Sequence, residues 1–239
     1  MTFRVLAALF FLLAGASASA AEQIRPAPEG PSGTTAKSLV VAQRQMIVAA
    51  DPLAAEAGRE IMRQGGSAAD AAVAAELVLG LVEPQSSGLG GGAFLVYWDA
   101  QSRSLATFDG RETAPAAAKP DRFLRDGKPM PFEAAVRSGL SVGVPGLMRT
   151  LEAVHRRFGK LPWSSLFAPA IKLAEEGFPV SPRLAALLAA SKAEDFSAGA
   201  RARFFDENDT PIAAGDVMTN AAYAATLKAI AEKGADAFY

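Results

Sequence analysis

Few residues in this chain are available for chemistry. The sequence has 239 residues, no cysteine and one histidine, His155. Disulfides, thiol nucleophiles, cysteine-ligated metals and histidine-rich metal sites are therefore excluded. Four candidates remain: Arg111, flanked by Gly110 and Glu112; Ser141, within a G-x-S-x-G pattern; a glycine-dense stretch at 88–92; and an acidic group of Asp206, Glu207 and Asp209.

Arg111 follows Gly110 at the exit of a segment, 104–109, with strand composition. Loops at strand ends commonly carry function, and a planar guanidinium is suited to gripping a carboxylate with two parallel hydrogen bonds. The plainer reading is a solvated surface arginine, with Glu112 orienting it or simply structural. Ser141 sits in Gly139-Leu140-Ser141-Val142-Gly143, which matches the nucleophile elbow of α/β-hydrolases. An elbow needs a strand before it, a helix after it, then an acid and a histidine in that order. His155 would lie on the helix that directly follows, about 15 Å from its first turn at roughly 1.5 Å per residue. Ser141 is thus read as part of a glycine-lined strand end and His155 as a surface residue beside Arg156 and Arg157. Gly88-x-Gly90-x-x-Ala93 formally matches a dinucleotide fingerprint, but that motif runs strand, loop, helix, whereas here the order is helix, loop, strand. The 88–92 glycines are read as a packing device joining the helix before them to the hairpin after. Asp206, Glu207 and Asp209 lack calcium-loop spacing and its terminal glutamate, and read as a solvated turn.

The elements that must position Arg111 lie in 65–115. Ser67 and Asp70 make a capping-box-like start, and 68–82 is apolar nearly all round, with only Asp70 and Glu76 charged. Such a helix is buried on several faces, and it is too short and too charged to span a bilayer. Glu83-Pro84 stops it. Segments 94–98 and 104–109 read as two strands of a hairpin joined by polar 99–103. Upstream, 44–48 has the composition of a short strand. Asp51-Pro52 then opens a helix that Gly65-Gly66 closes; Leu53, Glu56, Glu60 and Arg63 suit its exposed amphipathic side. Downstream, 116–139 is an irregular surface excursion with a short helix near 120–124, and 136–142 is a candidate strand. Helices are expected over 145–157, 166–176, 181–192 and 221–233. Helices layered on a small sheet make an α+β architecture.

Half the residues are apolar and 21% are charged, with a formal net charge of −1. This is ordinary for a globular protein, and the absence of a basic run argues against nucleic acid or an anionic membrane as partner. Residues 1–20 read as a signal peptide: Arg4, an apolar run over 5–14, and Ala18-Ser19-Ala20 as a small-x-small cleavage site. The competing reading, an uncleaved anchor, requires a longer apolar run. Residues 21–43 read as a flexible leader, and 44–239 as the folded part. The address is periplasmic or secreted, with no stable membrane span.

GGSAADAAVAA, SGLGGGAF and DGRETAP, in this order and spacing, resemble the large subunit of gamma-glutamyltransferases (glutathione hydrolases). SVGVPGLMRTLEAVHRRFGKLPWSSLFAPAIKLAEEGFPVS and NAAYAATLKAIAEKGADAFY resemble the segments that follow in that family. The resemblance implies an N-terminal-nucleophile hydrolase with an αββα sandwich, present here only as the helix-rich large-subunit portion with a partial sheet. It implies self-cleavage, after which the freed threonine of the small subunit attacks the γ-glutamyl amide with its own α-amino group as base. It implies no cofactor or metal, and as partners glutathione, other γ-glutamyl compounds and the small subunit of the same precursor. The family's carboxylate-binding arginine falls on Arg111. The threonine segment is expected beyond Tyr239, so no catalytic residue is assigned here and the chain alone is expected to be inactive. Two alternatives stand beside this: a cephalosporin-type acylase of the same fold, and a non-catalytic truncated binding protein.

Overall fold

The computed structural model describes residues 38–239; the signal segment 1–20 and leader residues 21–37 lie outside them. The chain enters through 38–50 without a strand. The short strand expected over 44–48 is therefore absent, although exposure alternates there, with Ile47 and Ala49 packed on the core while Met46 and Val48 face out. No strand of the described residues lies alongside to pair with it.

Two helices form the centre. α1 (Pro52–Arg63) starts where the sequence places it: Asp51 accepts the Leu53 amide at 2.8 Å and proline occupies the first turn. α2 (Ala68–Val82) opens with a full capping box, the Ser67 hydroxyl accepting the Asp70 amide and the Asp70 carboxylate accepting the Ser67 amide. Ten of its 15 residues are buried, so the near-uniform apolar sequence corresponds to a helix surrounded on most sides. α4 (Leu147–Phe158), α5 (Ala168–Glu176) and the short 3-10 segment Trp163–Phe167 pack against α2. α8 (Ala221–Lys233) closes over α5 and is pinned by two side-chain bonds. Tyr223 donates to the Leu77 carbonyl at 2.8 Å, and the Trp163 indole donates to the Ile230 carbonyl at 3.1 Å. Burial, reinforced by the nearby charge of Glu76, pushes the Tyr223 phenol well above its ordinary range; it stays a neutral donor to that carbonyl.

The hairpin follows α2. β1 (Ala93–Asp99) and β2 (Ser104–Gly110) pair antiparallel from Ala93↔Gly110 to Asp99↔Ser104. At its turn, Asp99 accepts from the Gln101 amide and the Ser102 hydroxyl, and these bonds hold its carboxyl below the usual range. One face, with Leu95, Tyr97, Ala106 and Phe108, turns inward; Tyr97 stacks on Phe158 of α4 at a ring separation of 3.9 Å. The other face is apolar and exposed, with Phe94 at 68%, Val96 at 69% and Trp98 at 57%.

Three expectations are corrected here. The helix near 120–124 is absent; instead β3 (Leu124–Arg125) and β4 (Lys128–Pro129) form a minimal hairpin around Asp126 (φ 51°) and Gly127 (φ 75°). Two positive φ values in a two-residue loop are what an Asp-Gly hairpin turn requires, a signal plainly present in the sequence. The strand expected over 136–142 is instead α3 (Phe132–Val136) and a 3-10 turn, Gly139–Ser141. His155 is not a surface residue: its side chain is 15% exposed and stands against Asp70 and Trp163.

The remaining elements are β5 (Phe178–Pro179), paired with β6 (Val217–Met218), then α6 (Pro182–Ala189) and α7 (Ala198–Phe204). α6 stops short of the expected 192, and α7 was not anticipated from the sequence. Residues Leu39–Tyr239 form one contact unit, helix-rich with three two-stranded sheets among the described residues: an α+β fold.

Candidate functional site

A concavity surrounds the exit of β2. Gly110 ends the strand and the chain turns through Arg111, Glu112 and Thr113 before the irregular excursion begins. Three separate segments hold that turn. The Asp109 carboxylate accepts the Arg111 amide at 3.0 Å. Thr113 and Val144 exchange backbone bonds of 3.2 and 2.8 Å, tying the turn to the segment before α4. The Gly91 carbonyl accepts both the Gly146 and Leu147 amides at 3.1 Å, so the glycine-dense loop caps the first turn of α4.

Two glycines make this closeness possible. A Cβ on Gly92 would run into the Gly110 carbonyl and lie 3.0 Å from the Glu112 nitrogen. A Cβ on Gly146 would overlap the same carbonyl from the other side, 3.1 Å from the Arg111 oxygen. The arginine turn is thus clasped between two strands of backbone with no room for a side chain. The 88–92 stretch packs against α2, where Gly88 approaches Gly80, and against the hairpin end at Gly110, as well as around the arginine turn and α4.

Arg111 projects from this clasp with its side chain 73% exposed. Its Nε lies 3.3 Å from Glu112 Oε2, which orients the guanidinium while leaving the terminal nitrogens of the fork without a protein partner among the described residues. The cavity beside it measures about 550 Å³ and includes Glu112, Arg122, Phe123, Leu140 and Ser141 in its walls. A second hollow of about 700 Å³ lies across Glu112, bounded by Glu76, Glu83, Phe94 and the loop glycines. Both volumes are in the range of small-molecule sites.

Ser141 is in this wall but is not poised as a nucleophile. It sits in the 3-10 turn, and its hydroxyl donates to the Val136 and Ser138 carbonyls, 3.0 Å each. His155 is near the far end of α4, where Nε2 contacts the Leu161 carbonyl at 2.9 Å and lies 3.8 Å from Asp70 Oδ1. The Asp70 carboxylate meanwhile accepts the Lys160 amide at 2.8 Å and the Leu161 amide at 3.2 Å. This buried group braces α2 against the loop after α4, well away from Arg111. In the acidic turn, Asp206 accepts the Asn208 and Thr210 amides at 2.8 Å, which lowers its carboxyl below the ordinary range, and Asp209 pairs with Arg201. No group of three or more potential metal ligands occurs among the described residues, and none of their helices is long and apolar enough to cross a membrane.

Two residues of the region were not singled out from the sequence. Glu83, at the end of α2, is 2% exposed and pairs with Arg183 of α6 at 2.6 Å, accepting also from Gln85 at 2.6 Å. Arg122 lines the same cavity as Arg111. Neither has a local sequence signal, because each depends on contacts between distant segments.

A helix-rich α+β unit of this kind recurs in solved structures of transpeptidases and acylases. The gamma-glutamyltranspeptidase of Helicobacter pylori superposes with a TM-score of 0.79 at 32% identity, over 84% of this chain and 58% of that one. The cephalosporin acylase of Bacillus halodurans gives 0.65 at 28% identity, over 86% of this chain and 40% of that one. The gamma-glutamyltranspeptidase family model matches residues 54–239, and the chain belongs to that family. It is 40% identical over 204 residues to the glutathione hydrolase proenzyme of Bacillus subtilis strain 168, covering 85% of this chain and 35% of that protein. It is 34% identical to the Escherichia coli K12 glutathione hydrolase proenzyme, spanning 41% of its length. The chain therefore spans well under half the length of these two relatives.

Proposed function

We propose that this chain is the N-terminal part of the large subunit of a glutathione hydrolase or gamma-glutamyltransferase, and that Arg111 grips the α-carboxylate of the γ-glutamyl donor. The observation that carries the reading is the clasped turn at the end of β2. It presents a guanidinium oriented by Glu112, with its terminal nitrogens free, on a cavity of about 550 Å³. A carboxylate seated there by a two-point bond holds the donor in one orientation, so that its γ-carbonyl is delivered to a fixed place.

In this reading the nucleophile belongs to the segment that follows in the precursor, a threonine freed by self-cleavage. Its hydroxyl oxygen attacks the γ-carbonyl carbon and its own α-amine takes the proton. The amide C–N bond breaks, the leaving amine departs with that proton, and an ester to the threonine remains. Water, an amino acid or a dipeptide then attacks the ester and regenerates the hydroxyl. Strands of the small subunit would pair with the β1–β2 hairpin to complete the αββα sandwich. Export by residues 1–20 would place the enzyme in the periplasm or outside the cell.

The test is Arg111→Lys in the full-length protein, which keeps the charge and loses the fork. A charge-assisted hydrogen bond contributes about 1.5–3 kcal/mol, so kcat/KM for γ-glutamyl donors should fall on the order of tenfold to a hundredfold. Donor analogues without the α-carboxylate should be nearly indifferent. Equal losses for both kinds of donor would show that Arg111 acts only on the fold. The likeness to the cephalosporin acylase supports a second reading, which hydrolysis of a cephalosporin side-chain amide without turnover of γ-glutamyl amides would select.

A further inference from the structure

Thr150 is the one polar residue on the buried face of α4, whose other buried side chains are Leu147, Met148, Leu151 and Val154. The remaining buried polar residues among those described have a plain structural use: Asp51, Ser67 and Asp70 cap helices, and Glu83 pairs with Arg183. Thr150 does neither. At 6% exposed, it donates to the Gly146 carbonyl twice, through its amide and through its hydroxyl, at 3.0 Å each. A hydroxyl bonded back to the carbonyl four residues earlier does not strengthen a helix. It does fix the rotamer, and so the place of the oxygen.

That place is beside Gly110. A Cβ on Gly110 would run into Thr150 Oγ1 and lie 2.8 Å from Thr150 Cβ; the next nearest atom, the Ala93 carbonyl oxygen, would be 3.1 Å away. Thr150 therefore fills the volume that a side chain at 110 would need. It also holds Gly146, whose amide donates to the Gly91 carbonyl and whose own missing Cβ would overlap the Gly110 carbonyl. Gly110 and Gly146 enclose the Arg111 turn, and Thr150 meets both.

We infer that Thr150 is a positioning residue: it seats the backbone from which Arg111 projects, and so sets where the guanidinium stands for the donor. The inference rests on the assignment of Arg111 to the donor's α-carboxylate. Positions 110 and 150 form a matched pair, in which volume can be added at one only by removing it from the other.

The test trades volume between the two positions in the full-length protein, reading kcat, KM and the urea midpoint with γ-glutamyl-4-nitroanilide as donor. Gly110→Ala should lower kcat/KM about a hundredfold, chiefly through a higher KM, because the turn must shift to admit the methyl. Thr150→Gly alone should lower it about threefold, the order of one lost neutral hydrogen bond. Added to Gly110→Ala, the same change should instead raise kcat/KM about tenfold. A substitution that harms alone and restores beside its neighbour is the mark of direct contact. Thr150→Ser keeps the hydroxyl and should lose no more than about twofold, whereas Thr150→Val sets a methyl against Gly110 and should lose about tenfold. A Gly110→Ala protein that Thr150→Gly leaves unimproved overturns the role of Thr150. So do losses that follow the urea midpoint in every variant while KM stays constant, since Thr150 then serves the fold alone. Either result leaves Arg111 in place. An Arg111→Lys protein that loses equally on donors with and without the α-carboxylate overturns the parent reading, and this one with it.

Discussion

Replacing Arg183 with Met should destabilise the protein far more than loss of a surface ion pair. Glu83 is 2% exposed at the end of α2, and Arg183 Nη1 reaches its carboxylate at 2.6 Å. Without the arginine, Glu83 keeps Gln85 at 2.6 Å and a long contact to Ser181 at 3.5 Å, both neutral. Breaking a buried pair by removing one partner costs roughly 3–5 kcal/mol, since the other charge is stranded in a medium that solvates it poorly. The Arg183 side chain is 33% exposed, so water enters readily once it is gone, and the lower end of that range applies. The expected loss is about 3 kcal/mol, equivalent to a factor of roughly 150 in the folding constant. Urea denaturation at neutral pH measures it, and the double variant Glu83→Gln with Arg183→Met should recover much of the loss by removing both charges. Because Gln85 and the glycine loop begin at Glu83, kcat/KM for γ-glutamyl donors should fall with stability in the single variant and partly return in the double. A loss below about 1 kcal/mol, the range of exposed pairs, would refute the claim that this pair anchors the loop.

Gly146→Ala should push its new methyl into the Gly110 carbonyl and displace Arg111; kcat/KM should drop on the order of a hundredfold. Gly139→Ala, which meets nothing within 4 Å, should be close to silent in the same assay. Terminal sequencing of exported protein should give Ala21 as the first residue, and a retained Met1 in the membrane fraction would remove the cleaved-signal proposal. Residues 21–239 expressed alone should be poorly soluble and devoid of γ-glutamyl hydrolase activity, because the Phe94, Val96 and Trp98 face and both hairpin edges lie open among the described residues. Converting those three residues to Thr should raise the solubility of the fragment and impair the full-length enzyme; a fragment that is soluble and active as it stands would sink the incomplete-enzyme proposal.

Where the sequence is explicit about structure, the cue is local. Asp51-Pro52, Gly65-Gly66, the Ser67–Asp70 box and Glu83-Pro84 punctuate α1 and α2 within a residue or two of their observed ends, because caps act within one turn. The strand composition of 94–98 and 104–109, with polar 99–103 between them, likewise marks the hairpin. The failures are of two kinds. Asp126-Gly127 was a readable turn signal obscured by the surrounding prolines. His155, Glu83 and Arg122 were unreadable in principle: a histidine between two basic neighbours looks exposed until Asp70 and Trp163, on other segments, are brought against it. Arg111 stands out in the sequence because its strand exit, its glycine and its neighbouring acid are contiguous, and its carboxylate-binding role comes from the family resemblance. The glycines that hold it, Gly92 and Gly146, are far apart in sequence, and their common purpose is visible only where both meet the Gly110 carbonyl.

Under the proposed function, the same geometry would let a binding wall be built before the group that does the chemistry is present. The clasp around Arg111 combines the Asp109 side-chain bond with backbone bonds and close backbone contact, from Gly91 to Gly146 and Leu147 and from Thr113 to Val144, and every partner lies within the described residues. Its foundation is α2, whose buried face includes Val73, Leu77, Val78 and Leu81 and where each leucine cut back to alanine would cost about 2–5 kcal/mol. The hairpin is different, for its inward side chains are packed on Phe158 while Phe94, Val96 and Trp98 meet solvent. The backbone turn that carries Arg111 is therefore held within this segment, and in the proposed function the open hairpin is the part that would meet the small subunit's strands. Under the proposed function, such a precursor would fold its donor-binding wall first and form a productive site only when the second segment docks on the hairpin.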